Sequence, residues 1–263
     1  MKLVTNLLLV GLLVLQGCST LVAIPKPASE PQTRMDEVSA IAQWNDVLRT
    51  YVNPRGEVDF AALAKRPEQL LGYLAYVQKT PLDEFTAGDQ KLAHFINSYN
   101  ALSMFNVIDS GIPLSNQALS ARYKFFIARK FTIGGQTMSL YSFENDIIRK
   151  LGEPRIHWAL NCSALSCPVL PMQAFIAQGL DQQLDSEAKK FFANPANLRI
   201  NHPLKEVWLS EILSFFTEDF VPKHAPSLIA YVNRYALEAV PEGYAVKFSP
   251  YDWTIANSVK TSP

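Results

Sequence analysis

The chain has 263 residues, 48% of them hydrophobic, and balances 24 lysines and arginines against 24 aspartates and glutamates. That length can bury a substantial core, as one large domain or two small ones. Its neutral balance, with no basic run, argues against general nucleic-acid binding, which needs clustered cations to neutralise phosphate. No fixed-period repeat, heptad array or glycine-rich phosphate loop is present.

The first twenty residues, MKLVTNLLLVGLLVLQGCST, place Lys2 before an apolar segment (3–15) and small residues before Cys18. This is a signal-peptide layout, and the apolar part is short for a membrane span. Leu15-Gln16-Gly17-Cys18 resembles a bacterial lipobox. The resemblance implies removal of residues 1–17, diacylation of the Cys18 sulfur and acylation of the new amino group. Several acyl chains anchor firmly where one is marginal. Ser19 stands where retention in an inner membrane would favour aspartate. The expected location is therefore the periplasmic face of the outer membrane in a Gram-negative cell. The bland alternative is an ordinary signal peptide that contains a cysteine. Residues 18–35, with three prolines and small polar residues, read as a lipidated start and flexible tether, and 36–263 as the globular domain.

Within that domain, Val38, Ile41, Trp44, Val47 and Leu48 recur at helical spacing and predict a helix over 36–51. Asn53-Pro54-Arg55-Gly56 is a turn. A second helical pattern covers 60–77, interrupted near Pro67, and Thr86 or Asp89 caps a third that reaches about 109. Residues 130–133 and 137–140, with Gly134-Gly135 between them, predict a hairpin. A helix follows over 142–151, then a short apolar run over 156–160 that reads as a buried strand. Beyond it lie a helix over 180–192, strands at 198–200 and 206–209, and a helix from Ser210 to about 220. A further helix covers 227–237, and a last strand 245–248. The fold class is helix-rich α+β in a single domain, with a small, mostly antiparallel sheet.

Three clusters carry candidate chemistry. In HFINSYNA (94–101), His94, Asn97 and Asn100 step along one side of a helix at spacing three. Asparagine is a poor helix-interior residue, so these side chains are either solvent-exposed or part of a buried polar network. Composition favours exposure. Glu144 fits the first turn of its helix, where it complements the positive end. His157 stands before an apolar run, a setting more common for a hydrogen-bonded core histidine than for a catalyst.

Cys162 and Cys167 admit several readings. An oxidising compartment favours a disulfide, although the short loop gains little chain entropy from closure. A zinc site would need further ligands, such as His157 and His94, and the spacing is not that of a familiar zinc clip. A thioredoxin-like pair would have two intervening residues rather than four. A nucleophilic thiol remains, and Cys167 is the preferred one. An extended 157–162 segment would put Cys162 about 16 Å from His157, at about 3.3 Å per residue, and on the opposite face. Ser163 to Ser166 can turn the chain back, and Pro168 fits the first position of a helix, which would lower the thiol pKa of a capping Cys167.

The ordered set HFINSYNA, FTIGGQTMSL with the Glu144 helix, EPRIHWALNCSALSCP (153–168), LDQQLDSEAKKFF (180–192), WLSEILSFFTEDF (208–220) and YDWTIAN (251–257) resembles the domain of unknown function 547 family. The family has no assigned chemistry. Its histidine- and cysteine-rich centre is similar to papain-like or transglutaminase-like thiol enzymes, here in permuted order because His157 precedes the cysteines. Many members carry Glu-His where this chain has Glu144-Asn145, and asparagine cannot serve as a base. His157 is then the base.

The expected function is a lipid-anchored thiol hydrolase or acyltransferase acting on an amide or ester. Cys167 is the nucleophile, His157 its base and Glu144 the orienting acid, with Asn97 or Asn100 as oxyanion donors. No cofactor or metal is expected. The partners are a membrane, through acyl chains on Cys18, and an unknown amide or ester substrate, with no nucleic acid. The alternative is a non-enzymatic envelope lipoprotein that binds a partner or ligand, with Cys162 and Cys167 joined.

Overall fold

The computed structural model describes residues 19–26 and 34–258. Cys18 and the signal-like residues before it lie outside the described residues. Strand β1 (Thr20–Leu21) comes first. Helix α1 (Glu37–Tyr51) starts where Asp36 accepts a hydrogen bond from the Ser39 N–H at 2.9 Å, and it buries Ala40, Trp44, Val47 and Leu48. Helices α2 (Phe60–Lys65) and α3 (Glu68–Lys79) are split at Pro67, which has no N–H to continue a helical ladder. Helix α4 (Gly88–Asp109) is buried on all sides from Leu92 to Val107. Its asparagines and His94 are therefore interior, contrary to the exposure that composition favours. Neighbours on every side enclose the polar stripe together with the apolar one.

Helix α5 (Leu119–Tyr123) runs into a π-helical turn, Lys124–Ala128, and then the hairpin of β2 (Arg129–Ile133) and β3 (Gln136–Ser139). Gly134 and Gly135 both have positive φ, 57° and 78°, which a two-residue hairpin turn requires and glycine supplies without strain. β1 lies parallel to β2, Thr20 opposite Arg129. The Val22 N–H donates to the Lys130 carbonyl at 2.8 Å, and the Val22 side chain is buried. Residues 20–22 of the expected tether are thus part of the folded body, because they pair with an edge of β2 otherwise left open.

The helix expected over 142–151 is realised in three pieces: α6 (Leu140–Ser142), a π-helical Phe143–Ile148 and a 3₁₀ turn, Arg149–Leu151. The strand expected over 156–160 is instead a 3₁₀ helix, Pro154–Trp158. Pro154 stands at its start, where the missing N–H costs nothing, and Glu153 accepts the Arg155 N–H at 2.9 Å. No helix follows Pro168; the backbone is irregular to Gly179. Pro171 accounts for this by steering Leu170 out of the helical region, so Cys167 is not a helix cap.

Helix α7 (Leu180–Ala193) leads to a second sheet of β4 (Leu198–Asn201), β5 (Glu206–Ser210) and β6 (Ala245–Ser249). Between β5 and β6 lie α8 (Ile212–Phe215), α9 (Thr217–Phe220) and α10 (Leu228–Val232), the last capped by Ser227. β4 is antiparallel to β5, and β6 parallel to it. The fold is helix-rich α+β, with two mixed three-stranded sheets in place of one mostly antiparallel sheet. In each sheet the parallel partner arrives from a distant part of the chain.

Two apolar cores result. One is built by α1 to α4 with the first sheet, the other by α7, the second sheet and α8 to α10. The segment 154–168 joins them: Ile156 and Leu160 pack into the first, Trp158, Cys162 and Cys167 into the second. Among the described residues, no helix is long and apolar enough to cross a membrane.

Candidate active site

The junction of the two cores encloses a cavity of about 200 Å³. Glu144, His157, Cys162, Cys167 and Tyr251 line it, with walls from Phe126, Tyr141, Phe215, Phe216 and Trp253. Cys167, His157 and Glu144, picked out in the sequence, therefore share one cavity.

His157 sits in the 3₁₀ turn, its ring stacked on Phe216 at 4.2 Å between centroids and tilted against Phe220 at 5.3 Å. Its Nε2 lies 2.7 Å from Asp219 Oδ2. Asp219 is in turn clasped by Arg149, whose Nε donates to Oδ2 at 2.6 Å and Nη2 to Oδ1 at 2.9 Å. Burial opposes the charge on Asp219, but hydrogen bonds from His157 and Arg149 outweigh it and hold this carboxyl well below the usual carboxylate range. An ionised Asp219 accepts the Nε2 proton and leaves Nδ1 as the basic ring nitrogen. Asn145 braces the arrangement, accepting from Arg149 Nη1 at 2.5 Å and donating to the Tyr141 carbonyl at 2.9 Å.

The acid that orients His157 is thus Asp219, not Glu144. Glu144 faces the same cavity but accepts the Tyr99 hydroxyl at 2.8 Å. Burial pushes its carboxyl pKa up, against the pull of His157, Tyr99 and Arg149. Its hydrogen bond goes to Tyr99 and not to the imidazole.

The cysteines sit on a loop closed by Asn161, whose Nδ2 donates to the Pro168 carbonyl at 2.7 Å and whose Oδ1 accepts the Ser163 N–H at 2.7 Å. Ser163 takes a positive φ of 64°. Pairing with the C-terminal strand-like segment locks the loop: Leu165 N–H to the Thr254 carbonyl and Ala256 N–H to the Ser163 carbonyl, both at 2.8 Å. This turn brings the Cys162 and Cys167 sulfurs to 2.8 Å. Cys167 Sγ also receives the Cys162 N–H at 3.1 Å and lies 3.1 Å from the Tyr251 hydroxyl. Burial alone would raise the Cys167 pKa, but hydrogen bonds from Cys162, Tyr251 and the backbone more than offset it and lower it. Cys162 is pushed far up by its hydrogen bond to Cys167 and by burial. Of the two, Cys167 is the more acidic thiol.

Asn97 and Asn100 are not oxyanion donors. Asn97 Nδ2 donates to the Phe175 carbonyl at 2.7 Å, while Oδ1 accepts from the Phe175 N–H at 3.0 Å and Trp44 Nε1 at 3.2 Å. Asn100 holds the cysteine segment from behind, donating to the Ala159 carbonyl at 3.0 Å and accepting the Asn161 N–H at 2.8 Å. Both side chains are held by buried partners, and neither lines the cavity. His94 lies among Tyr76, Phe85 and Phe95 and does not join the cysteines as a zinc ligand would. Among the described residues, no group of three or more His, Cys, Asp or Glu side chains is placed to hold a metal ion.

Asp219 and Tyr251 escaped the sequence reading. Asp219 lies 62 residues from His157 and carries no local sign of a partner; its only signal is membership of WLSEILSFFTEDF. Tyr251 likewise belongs to YDWTIAN.

Fold and cavity define the class: a helix-rich α+β protein whose central segment presents a cysteine pair and a carboxylate-held histidine to one pocket. Residues 82–192 match the model of the family described as "Protein of unknown function, DUF547", which supports that domain family for the central part of the chain. The matched span contains Glu144, His157 and both cavity cysteines, whereas Asp219 and Tyr251 come from beyond it. Comparison with curated proteins gave no match, and comparison with solved structures gave none either.

Proposed function

We propose that this chain is a thiol-dependent hydrolase or acyltransferase acting on an amide or ester. Cys167 is the nucleophile, His157 the base and Asp219 the residue that positions the imidazole. The observation that carries this reading is that Cys167 and an Asp219-bound His157 line one cavity. The Cys167 thiolate attacks the substrate carbonyl, and the tetrahedral intermediate collapses to a thioester. The departing amine or alcohol takes from His157 the proton that His157 gained from Cys167. Water, or an acceptor nucleophile, then gives its proton to His157 and attacks the thioester, returning the thiolate. The chemistry is of the papain-like or transglutaminase-like kind, in permuted chain order. The test is mass spectrometry of the reduced protein after exposure to activated esters. An acyl adduct on Cys167, lost in C167S and slowed at least about tenfold in H157A, is expected. Acylation unchanged in both variants would remove the proposed pair.

The same proposal places the protein on the periplasmic face of an outer membrane, held by acyl chains on Cys18. Its support is the sequence Leu15-Gln16-Gly17-Cys18 after an apolar segment. Incorporation of labelled palmitate that persists in C18S would refute it. The close approach of the two sulfurs favours a second reading, a non-enzymatic envelope lipoprotein with Cys162 and Cys167 joined. Thiol counting on the non-reduced protein separates the two: a quantitative, unreducible pairing excludes Cys167 as a nucleophile.

A further inference from the structure

We propose that Cys162 and Cys167 also form a reactive dithiol that exchanges with small, uncharged organic disulfides, so that the site cycles between an acyl-accepting dithiol and a closed disulfide. The inference rests on Cys167 being the cavity's nucleophile, as proposed above, but adds a second chemistry and a resolving residue, Cys162.

Geometry carries it. At 2.8 Å the sulfurs lie inside ordinary sulfur–sulfur contact and above the roughly 2.05 Å of a bond. Both touch the same Tyr251 hydroxyl, at 3.1 Å from Cys167 and 3.4 Å from Cys162. The loop needs no opening to join them, because Asn161 and the Thr254 and Ala256 backbone already hold it closed. Both sulfurs line the cavity, so an incoming disulfide reaches Cys167 with Cys162 alongside. The two thiols also differ as an exchanging pair should, Cys167 shifted toward thiolate and Cys162 toward thiol. The small volume and aromatic walls, with no lysine or arginine among the lining residues, select a small neutral disulfide over an anionic one.

The step balances as follows. The Cys167 thiolate bonds to one sulfur of the disulfide and breaks its S–S bond, and the other sulfur leaves as a thiolate. His157 takes the Cys162 proton. The Cys162 thiolate attacks the Cys167 sulfur and expels the second organic thiolate, which receives that proton from His157; the first has already taken the proton that His157 gained from Cys167. The pair is oxidised by two electrons, and the disulfide is reduced to two thiols.

The test uses the full chain with C18S, so that only the pair reports. The reduced protein is exposed to hydroxyethyl disulfide, quenched in acid and followed by mass spectrometry. The chain should lose two hydrogens without accumulating an adduct, and peptide mapping should find Cys162 linked to Cys167. C162S should gain one mercaptoethanol on Cys167, and C167S should react at least about tenfold more slowly. Glutathione disulfide should be slower than hydroxyethyl disulfide after each is normalised to its rate with N-acetylcysteine. A stable mercaptoethanol adduct on the chain with both cavity cysteines, a C167S rate equal to that of C162S, or preference for glutathione disulfide would overturn the proposal. If a variant fails to fold, the mass and linkage of the chain with both cavity cysteines decide it alone. Iodoacetamide separates the two proposals: rapid alkylation of Cys167 without exchange sinks only this one, whereas an inert Cys167 sinks both.

Discussion

His94 offers a quantitative test of how α4 is buried. Its side chain is 4% exposed and ringed by Tyr76, Phe85 and Phe95, at 5.6, 5.1 and 5.8 Å between centroids. Burial lowers its pKa from 6.5 to about 4, with Arg34 adding to the shift and Glu84 opposing it. The unfolded chain therefore takes up a proton near pH 6.5 that the native protein refuses until about pH 4. Stability attributable to this group is complete above pH 6.5 and falls as pH drops toward 4, at about 1.4 kcal/mol per unit. Over that window the loss is about 3 kcal/mol. His94→Phe keeps ring contacts and removes the proton site. Urea unfolding of both proteins at pH 7, 6, 5 and 4 isolates the histidine, because the carboxylates common to both cancel in the difference. The variant should lose about 3 kcal/mol less than the native chain between pH 7 and 4. Parallel pH profiles would refute a neutral, buried His94, whatever the absolute stabilities.

Asp219→Asn should lower acylation of Cys167 at least about tenfold, because a neutral amide no longer fixes the imidazole tautomer. It should also remove stability that Asp219, with its lowered pKa, supplies above the ordinary carboxylate range and loses on acidification; equal acylation rates in the two proteins would end its positioning role. Tyr251→Phe removes a hydroxyl 3.1 Å from Cys167 Sγ, so the alkylation–pH profile of Cys167 should move toward alkaline pH, and an unmoved profile would count against this hydroxyl as a thiolate donor. Asn97→Ala leaves Trp44 Nε1 and both backbone groups of Phe175 without their partner, a loss of about 1–3 kcal/mol in unfolding. A change within about 0.5 kcal/mol would show that this network contributes no more than an ordinary surface site.

Signals that act within a turn or two were legible without the structure. The apolar spacing of Trp44, Val47 and Leu48 marks α1, Pro67 divides α2 from α3, and Gly134-Gly135 closes the hairpin. Cys167 and His157 stood out because cysteine and histidine are scarce here, Glu144 because it lies in the same stretch, and the three line one cavity. The backbone that brings them there was not legible. An apolar run over 156–160 suits a strand or a buried helical turn equally, and only its packing between two cores, with Glu153 and Pro154 at its start, decides for the 3₁₀ helix. Asn97 and Asn100 on α4 have the same spacing whether solvated or enclosed. Their burial depends on Phe175, Ala159 and Asn161, residues 59 to 78 positions away. Most consequential is Asp219, whose hydrogen bond to His157 spans 62 residues. The chain itself determined which side chains could do chemistry; the tertiary structure decided which of them meet, since a contact between distant segments depends on how both cores close and leaves no local period to read.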